Sequence, residues 1–317
     1  MHAPVAPVRR PATTGGDLGD LRAGLERLDR LVVAFSGGAD SAFLAYVATQ
    51  VLGADRVLCV TAVSPSLAPE ELADCRSLAG EWGLRYLEVR TDELADPAYS
   101  ANDGSRCAHC KSALMEALGP VSGVAGAGAT VVLGVNLDDL SDHRPGQTAA
   151  ADRGAVFPLV EAGFTKADVR DWSRRLGLRT WDKPAAACLA SRVPYGTPVT
   201  LLTLQSVTAA ESGLRALGFG RLRVRHYGDT ARIEVPDDEL GAVVEQRAAV
   251  TEVVHRAGYR YVTLDLDGLR SGNLNQALGD GVPSRGVLSG GAPAGGALAG
   301  GAPAAPVAAG SSPGGSR

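Results

Sequence analysis

The sequence predicts an α/β protein: a doubly wound parallel sheet, followed by a smaller C-terminal α+β domain. Three observations carry this. Up to about Gly196, short apolar runs alternate with helix-periodic segments, as strands joined by crossover helices do. One strand-to-helix junction, Val33-Ala-Phe-Ser-Gly-Gly-Ala-Asp-Ser41, is built of small residues, as a turn lying under a ligand must be. Beyond Gly196 the rhythm changes to helix, hairpin, helix and strand.

The elements follow in order. Residues 31–35 are a short apolar run, the pattern of a strand buried on both faces. Residues 41–52 have helical periodicity, and 56–63 read as a second strand. A helix over 69–82 puts Leu72, Cys75, Leu78, Ala79 and Trp82 on one face. Residues 86–89 and 130–135 are further strands, with helices at about 111–118 and 166–176. The glycines of 123–128 are too irregular for a dinucleotide fingerprint and read as a flexible link into the strand at Val131. In the second part, 201–217 is helical with Thr200 as its N-cap. Residues 221–227 and 230–235 flank Gly228-Asp229, a hairpin signal. A helix over 237–257 and a strand over 261–266 close the domain.

Composition bounds the function. The chain has 317 residues, room for two domains, here read as 17–196 for nucleotide and 197–278 for substrate and oligomer contacts. Residues 1–16 and the Gly/Ala/Pro/Ser tail over 279–317 bury too little apolar surface to offset their ordering entropy and are predicted disordered. No apolar run approaches the ~20 residues of a membrane span. Arg9 and Arg10 are not followed by an apolar signal region, so the expected compartment is the cytoplasm. A net charge of -4 argues against a general grip on nucleic acid. Five cysteines, an odd and small number, do not form a disulfide framework; metal binding, catalysis or burial remain for them.

The sharpest motif is Ser36-Gly37-Gly38-Ala39-Asp40-Ser41. Its glycines let the backbone approach a ligand, and the following helix N-terminus offers free N–H groups to an anion. Ser36 and Ser41 add hydroxyls. Asp40 suits Mg²⁺ or the fixing of the loop, with plain helix capping as the alternative. The string resembles the PP-loop signature of ATP pyrophosphatases, and no Walker A string is present. The resemblance implies an adenine nucleotide alpha hydrolase-like fold. It also implies ATP split between its α and β phosphates, pyrophosphate held in the loop, and AMP left on the substrate.

Other strings narrow the family. They are Arg106-Cys-Ala-His-Cys-Lys111, Gly134-Val-Asn-Leu-Asp-Asp139, Asp142-His-Arg-Pro-Gly146, Glu161-Ala-Gly-Phe-Thr-Lys166, Trp181-Asp-Lys-Pro-Ala-Ala-Ala-Cys-Leu-Ala-Ser-Arg-Val-Pro-Tyr-Gly196 and Arg221-Leu-Arg-Val-Arg-His-Tyr-Gly-Asp229. In this order, from about Leu31 to Asn273, they resemble the LarE family of ATP-dependent sulfur transferases. That family adenylates pyridinium-3,5-biscarboxylic acid mononucleotide and exchanges oxygen for sulfur in making the nickel-pincer nucleotide of lactate racemase-type enzymes. The residues agree with such chemistry. An acyl adenylate needs a sulfur nucleophile, and Cys188 lies beside Ser191 and Arg192, where positive charge favours a thiolate. Arg223 and Arg225 alternate on one strand and so share a face. The resemblance gives them to the substrate phosphate, against a solvated strand face as the plain alternative. Asn136 ends a strand where a ligand is expected. Glu211 reads as a surface residue of its helix; the resemblance brings it near the active site. Cys59, inside a strand, and Cys75, on an apolar face, read as structural.

The family's two sulfur modes imply two expectations. In one, a cysteine gives up its own sulfur and becomes dehydroalanine. In the other, three cysteines hold a [4Fe-4S] cluster with an open iron; Cys107 and Cys110 form a two-ligand chelate and Cys188 is the third. The cluster is favoured, because a sacrificial enzyme has no need of Cys107 and Cys110. A zinc site using His109 and a redox dithiol stay open. Rival functions are a tRNA thiolase, an amide-forming ligase and a non-catalytic nucleotide-binding module. The expected ligands are ATP, Mg²⁺ and a small mononucleotide, in a homo-oligomer with neither nucleic acid nor membrane as partner.

Overall fold

The computed structural model describes residues 15–126, 128–140, 145–184 and 187–270. The predicted disordered tail over 279–317 and nearly all of the predicted loose N-terminus lie outside them, as do Asp142, His143 and Arg144. The first elements are α1 (Leu18–Glu26), β1 (Leu31–Ala34), α2 (Ala39–Leu52), β2 (Val57–Val63), α3 (Pro69–Glu81) and β3 (Tyr86–Arg90). Then come α4 (Pro97–Ser100), α5 (Arg106–Ala125), β4 (Thr130–Leu133), α6 (Leu137–Leu140), α7 (Pro145–Ala151), α8 (Pro158–Glu161) and α9 (Lys166–Arg175). The last are α10 (Leu201–Ala216), β5 (Arg223–Tyr227), β6 (Thr230–Glu234), α11 (Leu240–Glu245), α12 (Arg247–Arg256) and β7 (Tyr261–Leu264).

Strands β1 to β4 form one parallel sheet in the order β3-β2-β1-β4. It is covered on both sides, which is why its strands are continuously apolar. Leu31 and Val33 face one core with Phe43 and Leu78. Val32 faces the other with Leu118 and Leu133. The chain winds from β1 outward to β2 and β3, then crosses back to β4 on the far side. The strand order therefore reverses between β1 and β4, and in such sheets ligands bind at the carboxyl ends flanking that switch point.

The smaller sheet has the order β5-β6-β7. β5 and β6 pair antiparallel around Gly228 (φ 61°), and β6 and β7 pair parallel. Its core, including Leu214, Val224, Ile233 and Val254, lies under α10 and α12.

Three elements differ from expectation. The α1 helix was not foreseen: Asp17 caps it through Asp20 N at 3.0 Å, and Leu18, Leu21 and Leu25 bury one stripe. Its lead-in is ordered too, because the Trp172 indole donates to Gly16 O at 3.2 Å. Helix α5 runs 20 residues, well beyond the predicted 111–118. Met115, Leu118, Val121 and Ala125 are buried along it, and that packing outweighs Gly119, Pro120 and Gly123. The predicted link over 123–128 is thus partly helical. The helix expected over 237–257 is broken at Gln246 into α11 and α12, after a 3₁₀ turn at Asp237–Glu239. No helix among the described residues is long and apolar enough to cross a membrane.

Candidate functional site

At the carboxyl end of β1 the chain turns through Gly37 (φ 67°) and Gly38 into α2. A side chain at position 37 would be strained, and its Cβ would come 2.9 Å from Cys75 Sγ. Cys75 thus packs directly beneath the loop; burial pushes its thiol up to about 11, and that of Cys59 up to about 12, so both are structural. The loop is stapled by its own hydroxyls. Ser36 N donates to Ser41 Oγ at 3.2 Å, the two hydroxyls lie 3.0 Å apart, and Ser41 Oγ donates to Gly38 O at 3.2 Å. Gly38 stands at the N-cap of α2 without a side-chain cap, which leaves the first turn to serve an anion.

Across the switch point, Gly134 follows β4. A Cβ there would come 2.7 Å from Ser41 N, so only glycine lets the end of β4 close up on the first turn of α2. This brings Asn136, fully buried, onto Asp40: Asn136 Nδ2 donates to Asp40 Oδ1 at 3.0 Å. Burial raises the Asp40 carboxyl above its ordinary range, and the field of Asp139 adds to this, against Asn136 and Lys166, which lower it. Lys166 Nζ lies 3.0 Å from Asp139 Oδ1. The two residues read separately from sequence, Asp40 and Asn136, are one hydrogen-bonded unit.

Lys183 lies in the string Trp181–Gly196. Its Nζ donates to Gly37 O at 3.1 Å and pairs with Asp74 at 2.6 Å and Glu71 at 2.8 Å. Burial lowers its pKa, but the two carboxylates outweigh that and raise it. Six residues on, Leu189 N donates to Ser66 O at 2.8 Å, just past β2. A cavity of about 410 Å³ opens at the carboxyl ends of β2 and β3, lined by Val63, Ser64, Pro65, Arg90, Thr91 and Asp92.

Cys188 is exposed at the N-cap of a 3₁₀ turn, Leu189–Arg192. Ser191 Oγ donates to Cys188 O at 2.7 Å, and Arg192 Nη1 donates to Ala187 O at 2.6 Å and Cys188 O at 3.2 Å. Arg192 is oriented by Glu211 at 2.8 and 3.2 Å. Glu211 is 0% exposed, which overturns the surface alternative. Its oxygens also accept from Val224 N at 3.0 Å and Arg215 Nη2 at 3.0 Å, so both are occupied.

The two strand arginines share a face but not a situation. Arg225 is 3% exposed and binds Glu234 through Nε at 3.0 Å and Nη2 at 2.9 Å, while its Nη1 donates to Ser191 O at 2.8 Å. Arg223 is half-buried and donates to Arg270 O at 3.1 Å. Burial, then the neighbouring Arg225 and Arg192 charges, lower its pKa. A solvated strand face is therefore wrong for Arg225.

Cys107 is exposed and Cys110 partly buried on the first turns of α5; burial pushes the Cys110 thiol up to about 11, against the pull of Lys111. Arg106, 5% exposed, donates to Asn102 Oδ1 and to Ala190 O at 3.0 Å, and lies over the Tyr195 ring. Burial lowers its pKa, but the fields of Cys188 and Cys107 outweigh that and raise it. The thiols of Cys188 and Cys107, from two distant segments, thus lie within the field of one guanidinium. Among the described residues no three His, Cys, Asp or Glu side chains close on a single ion position, and His109 is turned to Asp96 at 2.8 Å. This does not support the zinc reading.

Comparison with known proteins gives the following. The NAD synthase family profile matches residues 25–113. An uncharacterized protein of Synechocystis sp. is 45% identical over 263 residues, 82% of this chain and 97% of its own length. Pyridinium-3,5-bisthiocarboxylic acid mononucleotide synthase of Lactiplantibacillus plantarum is 39% identical over 267 residues, 84% of this chain and 96% of its own. The NH(3)-dependent NAD(+) synthetase of Pyrococcus furiosus is 33% identical over 73 residues, covering 23% of this chain and 28% of the relative.

Proposed function

The chain belongs to the family of pyridinium-3,5-bisthiocarboxylic acid mononucleotide synthases, ATP-dependent sulfurtransferases on a PP-loop domain, and from that premise we propose how its residues divide the reaction. A substrate carboxylate oxygen attacks the α-phosphorus of ATP. The bond to the β-phosphate oxygen breaks, and pyrophosphate leaves into the loop, where the α2 N-terminus stabilises its charge and Lys183, bonded to Gly37 O, Asp74 and Glu71, braces the loop. Asp40, fixed by Asn136, would hold the Mg²⁺ of the nucleotide, which would supply charge stabilisation to the phosphates. The cavity past β2 and β3 takes the rest of ATP. Arg223 contacts the phosphate of the mononucleotide; Arg225 is committed to Glu234 and Ser191.

Sulfur then attacks the acyl carbon at Cys188. The new C–S bond forms as the acyl–oxygen bond to AMP breaks, and AMP departs with the electron pair. If the Cys188 sulfur itself attacks, loss of the Cα proton with cleavage of Cβ–Sγ releases the thiocarboxylate and leaves dehydroalanine. A [4Fe-4S] cluster held by Cys107, Cys110 and Cys188 would supply a replaceable sulfide instead, and we favour it because a sacrificial cysteine has no need of the Cys107–Cys110 pair on the first turns of α5. A homo-oligomer belongs to the same reading, and sedimentation velocity tests it.

One observation carries the reading. Lys183 is bonded to Gly37 of the phosphate loop, and Leu189, next to exposed Cys188, is bonded to Ser66 just past β2; these two contacts support reading Cys188 as a neighbour of the ATP site. The test is anaerobic, iron-replete protein with ATP, Mg²⁺ and pyridinium-3,5-biscarboxylic acid mononucleotide. Expected are pyrophosphate, AMP and a product heavier by one oxygen-to-sulfur exchange. Hydrolysis of ATP without that mass change would refute the reading. Dehydroalanine at Cys188 after turnover would replace the cluster by the sacrificial mode.

A further inference from the structure

We propose that Glu234 is a positioning residue for sulfur transfer: it holds Arg225 against the carbonyl of Ser191 and so sets the turn that presents Cys188. The inference rests on the reading of Cys188 as the point of sulfur attack.

Glu234 ends β6 and is 0% exposed. In register it stands opposite Arg223, yet its carboxylate is spent on Arg225, at 3.0 Å from Nε and 2.9 Å from Nη2. Such a fork fixes the guanidinium plane, which a single contact or a lysine does not. Arg232 Nη2 donates to the same carboxylate at 3.0 Å, so the acid is held from two sides. The remaining arm of Arg225 leaves the sheet and donates to Ser191 O at 2.8 Å.

The opposite side of the turn has the same construction. Arg192, forked onto buried Glu211, holds the carbonyls of Ala187 and Cys188. The carbonyls flanking the thiol are thus fixed by two arginines, each aimed by a fully buried carboxylate. A buried ion pair contributes little net stability once desolvation is counted, so stability alone is a weak account of this arrangement. Geometry is a strong one, because displacing a reacting group by ~1 Å costs on the order of 100-fold in rate.

Glu234→Gln is the direct variant. Because it leaves Arg225 buried without full charge compensation, Arg225→Met combined with Glu234→Leu is the second, an apolar pair of similar volume that tolerates burial. Two steps are measured on the full chain: pyrophosphate release with ATP and the mononucleotide, and thiocarboxylate formation from acyl adenylate in a single turnover. In both variants transfer is expected to slow by about tenfold or more. Pyrophosphate release at saturating mononucleotide should stay within about twofold, because Arg225 is bonded to Glu234 and to Ser191 O at the cysteine turn. A raised KM with unchanged transfer would make the pair part of the phosphate contact and overturn the proposal. So would a fall of both steps in proportion to lost folded protein, which is the mark of a structural prop. If wild-type protein makes no acyl adenylate or thiocarboxylate, the proposed function fails instead, and Glu234 is not what was tested.

Discussion

The phosphate loop and the cysteine turn meet at one edge of the sheet but are held in opposite ways. The loop is stapled locally, by Ser36, Gly38 and Ser41 bonding one another within six consecutive residues. The cysteine turn is held from a distance: Glu211 on α10 and Glu234 on β6 aim the arginines that grip it. A loop that serves a leaving group needs small residues and backbone N–H groups. A turn that presents a nucleophile between two chemical steps is fixed from outside, so the small sheet acts on the reaction without supplying the sulfur.

Breaking that comparison should give the largest effect at Glu211. Glu211→Ala leaves Arg192 buried and uncompensated, a loss of about 3–5 kcal/mol that thermal melting reads. ATP binding in the protein that stays folded should be unaffected. If ATP affinity falls with stability, the loop too is held from afar and the contrast dissolves. Asp40→Ala is the mirror experiment. It should cut pyrophosphate release at least about 100-fold while the melting temperature holds, since the residue serves the ion and not the core. Retained ATP-to-AMP turnover would remove Asp40 from the reaction.

Arg223→Ala should be milder. It should weaken binding of the mononucleotide by the ~1.5–3 kcal/mol of a charge-assisted contact and leave ATP binding alone, as titration calorimetry with each ligand shows. The smallest effect is a rate order. In iron-free protein, alkylation should reach exposed Cys107 and Cys188 before Cys110, whose thiol burial pushes up to about 11. Peptide mapping over time would show it, and equal rates would mean that α5 frays at its first turns.

The same contrast explains what was legible in the sequence. The parallel sheet and the loop could be read because each signal is contiguous: a buried strand, two glycines, a helix start. Cys188, Ser191 and Arg192 were legible as one string. Lys183 was not, because 146 residues separate it from Gly37 and only the winding of the sheet joins them. Glu234 escaped for a similar reason; a glutamate closing a strand looks solvated until Arg225 is known to turn inward. Helix α5 was read short because Gly119, Pro120 and Gly123 argue locally against a helix that tertiary packing keeps. The α1 stripe of Leu18, Leu21 and Leu25 was present in the sequence and went unread beside the low-complexity lead-in.

The central claim is that adenylation belongs to the loop and sulfur transfer to the Cys188 turn. Cys188→Ala tests it most directly, with pyrophosphate release and thiocarboxylate formation followed in the same anaerobic reaction. The account predicts pyrophosphate release with accumulation of acyl adenylate and no thiocarboxylate. Thiocarboxylate formed by this variant at the wild-type rate would contradict it.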